Sequence, residues 1–271
     1  LKAVRILKAN EGIHHMSDSA VNELARRRRD NVAGPRLPEA DRPRDFVEAF
    51  ALQRRAVAQT GLAIAGWKAS VAAGDRLFLA PILAPMMHRA GDTCALRSRA
   101  GIAQIEPEVA FVMKRDLPAR EAPYSEKEIR DAIAEARCVV ELLGTRYDAP
   151  ESVSGPEMVA DSANNQGLVI GPAIDNAFGR PIARFPVKVS TAGRTLHERD
   201  GAHGDGDPLL PLYWLANFLR NDSDHLRAGQ IVTTGSYAGA VDVPLDAPLT
   251  VTFGELGSVD TRLREQAPAR R

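Results

Sequence analysis

The segment Gln104-Ile105-Glu106-Pro107-Glu108-Val109-Ala110-Phe111-Val112-Met113 carries the residues best suited to chemistry. Read as a strand, it places Glu106, Glu108, Ala110 and Val112 on one face and Ile105, Pro107, Val109, Phe111 and Met113 on the other. Two carboxylates sharing a face repel and raise one another's pKa, so the pair needs either open solvent or a cation. An edge strand with wetted acids meets that need as well as a metal site does. A third acid, Glu141, stands in the middle of the otherwise apolar run Cys138-Val139-Val140-Glu141-Leu142-Leu143, where an unpartnered carboxylate would cost several kcal/mol. A Lys or Arg partner would offset that cost. Convergence with Glu106 and Glu108 would instead make an all-oxygen site, which suits Mg2+ or Mn2+ better than zinc. The six histidines show no zinc-like spacing.

Lys68, in Ile64-Ala-Gly-Trp-Lys-Ala-Ser, ends an apolar run. It either reaches into a cleft, as a proton carrier or substrate anchor, or snorkels to the surface. Gly201 to Gly206 lacks the strand before it and the Lys-Ser after it that a phosphate loop requires, and Ser236 does not sit in a Gly-x-Ser-x-Gly elbow.

The elements that must position these groups follow from hydrophobic period. Ser17 to Gly61 reads as helical, with Val21, Leu24 and Ala25 on one face, a Pro-rich break from Gly34 to Pro43, and then Phe46, Phe50 and Val57. Leu77 to Met87 reads as loop and short strand. From Gly101 onward the period changes to two, with strands expected at Ile105 to Met113, Val139 to Leu143, Leu168 to Ile170, Phe185 to Val189, Ile231 to Thr234 and Leu249 to Phe253. Ser125 and Glu128 form a capping box before a helix carrying Ile129 and Ile133. Asp207-Pro208 opens another with Leu212, Leu215 and Leu219. Strands clustered away from the first helices indicate an α+β fold. The expected division is a leader over residues 1–15, with Met16 as the natural start, a helical portion over 16–90, a catalytic β-roll domain over 91–265 and a disordered tail over 266–271.

The 271 residues hold 35 basic and 35 acidic side chains, so no global field would gather nucleic acid or an anionic membrane. The basic run Arg26 to Arg29 reads as a solvated helix face. Cys94 and Cys138 show no metal spacing and read as reduced thiols, and no apolar stretch is long enough to span a bilayer, which points to the cytoplasm.

Several short blocks in order between Gly61 and Leu263 carry a resemblance. They are Gly66-Trp-Lys68, Ile105-Glu-Pro-Glu-Val-Ala-Phe-Val112, Val140-Glu-Leu-Leu-Gly-Thr-Arg-Tyr147, Ala160-Asp-Ser-Ala-Asn164 with Val169-Ile-Gly171, Gly206-Asp-Pro-Leu209 with Trp214-Leu-Ala-Asn217, Leu226 to Ser236, and Leu256-Gly-Ser-Val259. The chain resembles the fumarylacetoacetate hydrolase superfamily, in its 2-oxopent-4-enoate hydratase and 4-oxalocrotonate decarboxylase branch. The resemblance implies a mixed β-sheet roll with a small helical N-terminal portion and a Mg2+ or Mn2+ cofactor on Glu106, Glu108 and Glu141. It further implies Lys68 as the catalytic lysine, Arg146 and Ser236 at the substrate, and assembly as a homo-oligomer. The implied substrates are small 2-oxo or 2-hydroxy-dienoic acids from aromatic-compound catabolism. Its first expectation is hydration of 2-hydroxypenta-2,4-dienoate to a 4-hydroxy-2-oxo acid. Decarboxylation of a 2-oxo dienedioate, which needs a cation for the distal carboxylate, is the alternative, followed by carbon-carbon hydrolysis of an acylpyruvate and by a non-catalytic scaffold. The chain departs from the hydratase pattern after Lys68, where Lys68-Ala-Ser replaces Lys-Gly-Leu-Thr. The following stretch is shortened, with Asp75 the nearest acid.

Overall fold

A computed structural model describes residues 17–71, 78–221 and 224–266. The expected leader, Asp75 and residues 267–271 of the expected tail lie outside the described residues.

Helix α1 (Asp18–Asp30) starts where the Ser17 side chain accepts from the Ala20 N–H at 3.2 Å and stops at Asn31, which takes the left-handed conformation that asparagine tolerates. Helix α2 (Phe46–Thr60) is capped by Asp45, which accepts from the Glu48 N–H at 2.9 Å, and ends at Gly61. The two bury Ala20, Val21, Leu24 and Ala25 against Ala49, Leu52 and Ala56 in a small core that also takes in Tyr147, Val159 and Ala160. The run Arg26 to Arg29 is only in part a solvated face. Arg27 and Arg28 are buried, Arg28 donating to the Pro81 carbonyl at 2.6 Å, because the α1 stripe that faces the rest of the chain is wider than its apolar residues alone.

The remaining chain is dominated by two sheets. The first runs β2 (Leu79–Leu83), β1 (Ile64–Ala69), β10 (Ile231–Ser236), β5 (Ile102–Met113), β6 (Ile133–Leu143), β7 (Asn165–Ala173) and β3 (Met87–Arg89), with β11 (Val241–Pro244) also paired to β5. It is mixed: β1 runs parallel to β10 and β3 to β7, while β5, β6, β7 and β10 pair antiparallel. The second runs β4 (Thr93–Leu96), β13 (Ser258–Glu265), β12 (Pro248–Phe253), β8 (Arg184–Thr191) and β9 (Arg194–Ala202). One face of β5 and β6, carrying Ile105, Val109, Phe111, Cys138, Val140 and Leu142, belongs to the main core. That core also takes in Val187, Val251 and Val259 of the second sheet and Leu212, Leu215 and Leu219 of helix α5 (Leu209–Leu219). Each such buried side chain contributes roughly 1.5–3 kcal/mol. The opposite face of the first sheet holds a smaller apolar cluster of Ile82, Ala110, Val139, Leu168 and Ile231, and it is here that the acids stand.

The α+β mixed roll with a helical N-terminal portion is as expected from sequence. Two expectations are corrected. The helix opened by the Ser125 capping box, α3 (Glu126–Arg130), is a single turn and Ile133 begins β6, so β6 is six residues longer at its start than the Val139 to Leu143 run suggested. Strands β4, β9, β11 and β13 have no counterpart among the expected runs. β9 is largely exposed and polar, so pairing rather than hydrophobic pattern makes it a strand, whereas β13 alternates, burying Val259, Thr261 and Leu263.

Candidate active site

Two adjacent strands bring the acids together. Glu106 of β5 and Glu141 of β6 are direct cross-strand partners, and Glu108 lies two residues along the same face of β5. A carboxylate oxygen from each lies within 4.8 Å of the other two. Glu141 and Glu108 are buried and Glu106 half-buried. Like charges directly opposite on a sheet are destabilising, so this arrangement persists only with compensation.

Part of that compensation is Lys68. On β1, two strands from β5, its Nζ lies 2.8 Å from Glu141 Oε1 and donates to the Ala163 carbonyl at 3.2 Å. An ammonium has three donors, and its third has no partner among the described residues. The side chain is buried, with the Phe78 ring 5.2 Å from Nζ. Burial alone would lower the lysine pKa, but Glu141, Glu106 and Glu108 together raise it above its ordinary value. Burial first, and then the charges of Glu141 and Glu106, push the Glu108 carboxyl up to about 8. Glu106 is also raised, chiefly by burial, with Lys68 opposing.

Glu141 and Glu108 are held by neighbours that the sequence did not single out. Asn165 Nδ2 donates to Glu141 Oε1 at 2.8 Å. Glu108 Oε2 accepts from the Thr233 hydroxyl and from the Gly235 N–H at 2.9 Å. That N–H is available because the ladder between β10 and β5 shifts register after Thr233 and Gly235 adopts φ 121°, a backbone region that favours glycine. Between helix α4 (Gly155–Ala160) and β7, Ser162, Ala163 and Asn164 all have positive φ, of 60°, 50° and 61°. Such a left-handed turn costs roughly 1–2 kcal/mol per residue for L-amino acids, and it turns the Ala163 carbonyl toward Lys68. The signals were present as Asp161-Ser-Ala-Asn-Asn165 and Thr233-Thr-Gly235, but nothing local states which carboxylate they serve.

Arg146 and Ser236 are placed differently from the acids. Arg146 is fully buried. Its guanidinium donates to the Asp161 carboxylate at 3.3 Å and to the Asn165 carbonyl at 2.8 Å, and its backbone N–H donates to Asp161 at 2.7 Å. It therefore clamps the left-handed turn. Ser236, opposite Glu108 across the ladder, donates to the Gly239 carbonyl at 3.1 Å.

The donor set fits a hard divalent cation. All three ligands are oxygens, one ammonium would leave two negative charges uncompensated if all three acids were ionised, and Glu141 Oε2 is buried with no hydrogen-bond partner among the described residues. Sheet architecture and an all-carboxylate cluster beside a buried lysine together make a mixed β-roll with a candidate divalent-metal centre.

No protein-family model matches the chain. Among curated proteins, it is 30% identical over 164 residues to a 4-oxalocrotonate decarboxylase of Pseudomonas putida, 59% of each chain. It is 26% identical over 158 residues to a 2-keto-4-pentenoate hydratase of Paraburkholderia xenovorans, 58% of each. The matched stretch thus spans about three-fifths of these relatives. Among solved structures, a 4-oxalocrotonate decarboxylase from Pseudomonas putida G7 complexed with magnesium and adipate superposes with a TM-score of 0.73 at 20% identity, covering 90% of this chain and 96% of that one. The chain thus shares its fold with that decarboxylase, and three-fifths of its length is similar in sequence to 2-keto-4-pentenoate hydratases and 4-oxalocrotonate decarboxylases.

Proposed function

We propose that this protein is a divalent-metal-dependent lyase acting on short 2-oxo acids, and that its reaction is decarboxylation of a 2-oxo dienedioate of the 4-oxalocrotonate kind. The observation that carries the reading is the convergence of Glu106, Glu108 and Glu141 within 4.8 Å, with Lys68 Nζ 2.8 Å from one of them. The decarboxylase takes precedence over the hydratase expected first, on its higher identity and on the superposition covering 96% of the decarboxylase.

Glu106, Glu108 and Glu141 hold the cation, with Asn165 fixing the orientation of Glu141 and Thr233 and Gly235 that of Glu108. A bound Mg2+ or Mn2+ supplies positive charge against the negative charge that develops on the substrate 2-oxygen. The bond to the distal carboxylate breaks, its electron pair moves through the conjugated carbons to the 2-oxygen, and CO2 leaves. Lys68 holds a proton at Nζ for the resulting enol oxygen, its free donor directed by the Glu141 and Ala163 contacts. Arg146 acts as a positioning residue through the turn that carries Asn165. Ser236 sets the turn behind Gly235. Hydration of 2-hydroxypenta-2,4-dienoate is the second reading, because the hydratases align over a stretch of similar extent.

The test is incubation of the full chain with Mg2+ and 2-oxohex-3-enedioate, with products identified by mass. Metal-dependent loss of CO2, abolished by EDTA and by Glu106→Gln, is the expected result. Gain of water by 2-hydroxypenta-2,4-dienoate without decarboxylation would move the assignment to the hydratase, and inertness toward both would refute the lyase reading.

A further inference from the structure

A cavity of about 710 Å³ opens at the end of the carboxylate face, and its lining includes Gln104, Leu143, Asn164 and Arg97. Gln104 and Leu143 are cross-strand partners, the next pair on the same face after Glu106 and Glu141. Two residues along a strand is roughly 7 Å, about the span of a six-carbon chain. Asn164 precedes the Asn165 that holds Glu141. The cavity therefore begins one rung from the acids.

Arg97 is built into this rim. Gln166 accepts from the Arg97 N–H at 2.9 Å, and its amide donates to the carbonyls of both Arg97 and Leu143 at 2.9 Å. This three-way tie fixes the Arg97 backbone against the end of β6. Gly144 is required beside it, since a Cβ there would stand 1.9 Å from Gln166 Nε2. Of the other charged residues on the lining, Arg99 pairs with Glu151 at 3.3 Å, Asp242 accepts from Gln104 at 2.8 Å, and Asp148 is exposed. Among the described residues the Arg97 side chain has no carboxylate partner, and its Nε is buried without a hydrogen bond. Arg97 is one of the residues lining the cavity, and a guanidinium without a carboxylate partner there is a site for an anion, best a planar one.

We infer that this cavity is the subsite for a second carboxylate on the substrate and that Arg97 is the residue that selects a dicarboxylic over a monocarboxylic 2-oxo acid. The inference rests on the lyase reading for its proximal half, in which the 2-oxo acid end sits at the three acids. A single partly exposed arginine anchors the distal group without enclosing it. When CO2 is lost the product no longer carries the anion that Arg97 holds, so the same contact favours substrate entry and product exit.

The test is isothermal titration of the Mg2+-loaded full chain with 2-oxoadipate, 2-oxohexanoate and adipate, for the wild type, Arg97→Met and Arg97→Lys. The wild type is expected to bind 2-oxoadipate about 10- to 100-fold more tightly than 2-oxohexanoate. Arg97→Met should erase that preference while leaving 2-oxohexanoate affinity unchanged, and Arg97→Lys should restore part of it. A preference that survives Arg97→Met, or equal wild-type affinity for the two acids, overturns the inference. If neither 2-oxo acid binds in a Mg2+-dependent way, the lyase reading fails on its own, and adipate decides the subsite. Adipate binding lost in Arg97→Met supports the subsite, and unchanged or undetectable wild-type binding overturns it.

Discussion

Stripping the cation should make the fold sensitive to pH in a direction set by Glu108. In the chelated protein its carboxyl titrates at about 8, against 4.5 for the ordinary group. Between those values the folded chain holds a proton that the unfolded chain has released, so stability falls as pH rises, by up to about 1.4 kcal/mol per pH unit. Glu106, also raised, acts in the same sense. Lys68 is raised from 10.5 and stays charged throughout this window, so it adds no slope. From about pH 5.5 to about 7.5 the loss comes to roughly 3 kcal/mol, or on the order of 5–10 °C in Tm for a chain of this size. Saturating Mg2+ binds the ionised acids and removes the proton excess, so the gap between melts in Mg2+ and in EDTA should widen with pH. Glu108→Gln should flatten the EDTA profile. Paired thermal melts followed by circular dichroism measure all three effects. A gap independent of pH, or stability in EDTA that rises through the window, would refute the argument that these acids are mutually uncompensated.

Other perturbations separate the parts of the site. Lys68→Ala should abolish turnover while calorimetry still detects metal binding, and an unchanged kcat would remove Lys68 from the chemistry. Asn165→Leu deletes the 2.8 Å bond that orients Glu141 and should weaken Mg2+ binding by about 10- to 100-fold, read by titration calorimetry. Gly144→Ala drives a methyl into Gln166 and should destabilise the fold by about 1–3 kcal/mol in urea titrations, with a raised KM for the dicarboxylate as Arg97 shifts. Both cysteines are buried, and burial pushes the Cys138 thiol up to about 12. Neither should react with a thiol-disulfide reagent at neutral pH until guanidinium is added, and prompt labelling of either would contradict the core placement.

Much of the site was legible before folding because its signal is chemical and local. Glu106 and Glu108 share a face by the period of a strand, Glu141 is anomalous in an apolar run, and Lys68 ends another. Helices α1, α2 and α5 announced themselves by caps and apolar spacing, and the inner strands by alternation. The outer strand β9 did not, because its largely exposed residues carry no burial pattern. The helix expected through Ile133 also failed, since the demand of β6 for a partner across β5 outweighs one turn of capping.

Register and strand order were left to the tertiary structure. Only pairing puts Glu106 opposite Glu141, places Lys68 from β1 beside an acid on β6, and turns the Ala163 carbonyl, Asn165 and Gly235 onto those groups. The same pairing brings Arg97 to the end of β6 through Gln166, 69 residues away in the chain. The sequence by itself determined which side chains could bind a cation and move a proton, because those are properties of residue types at short spacing. Which of them meet, and that Arg146 braces a turn while Arg97 lines the cavity, depends on contacts between residues distant in sequence, whose geometry exists only once the core has closed.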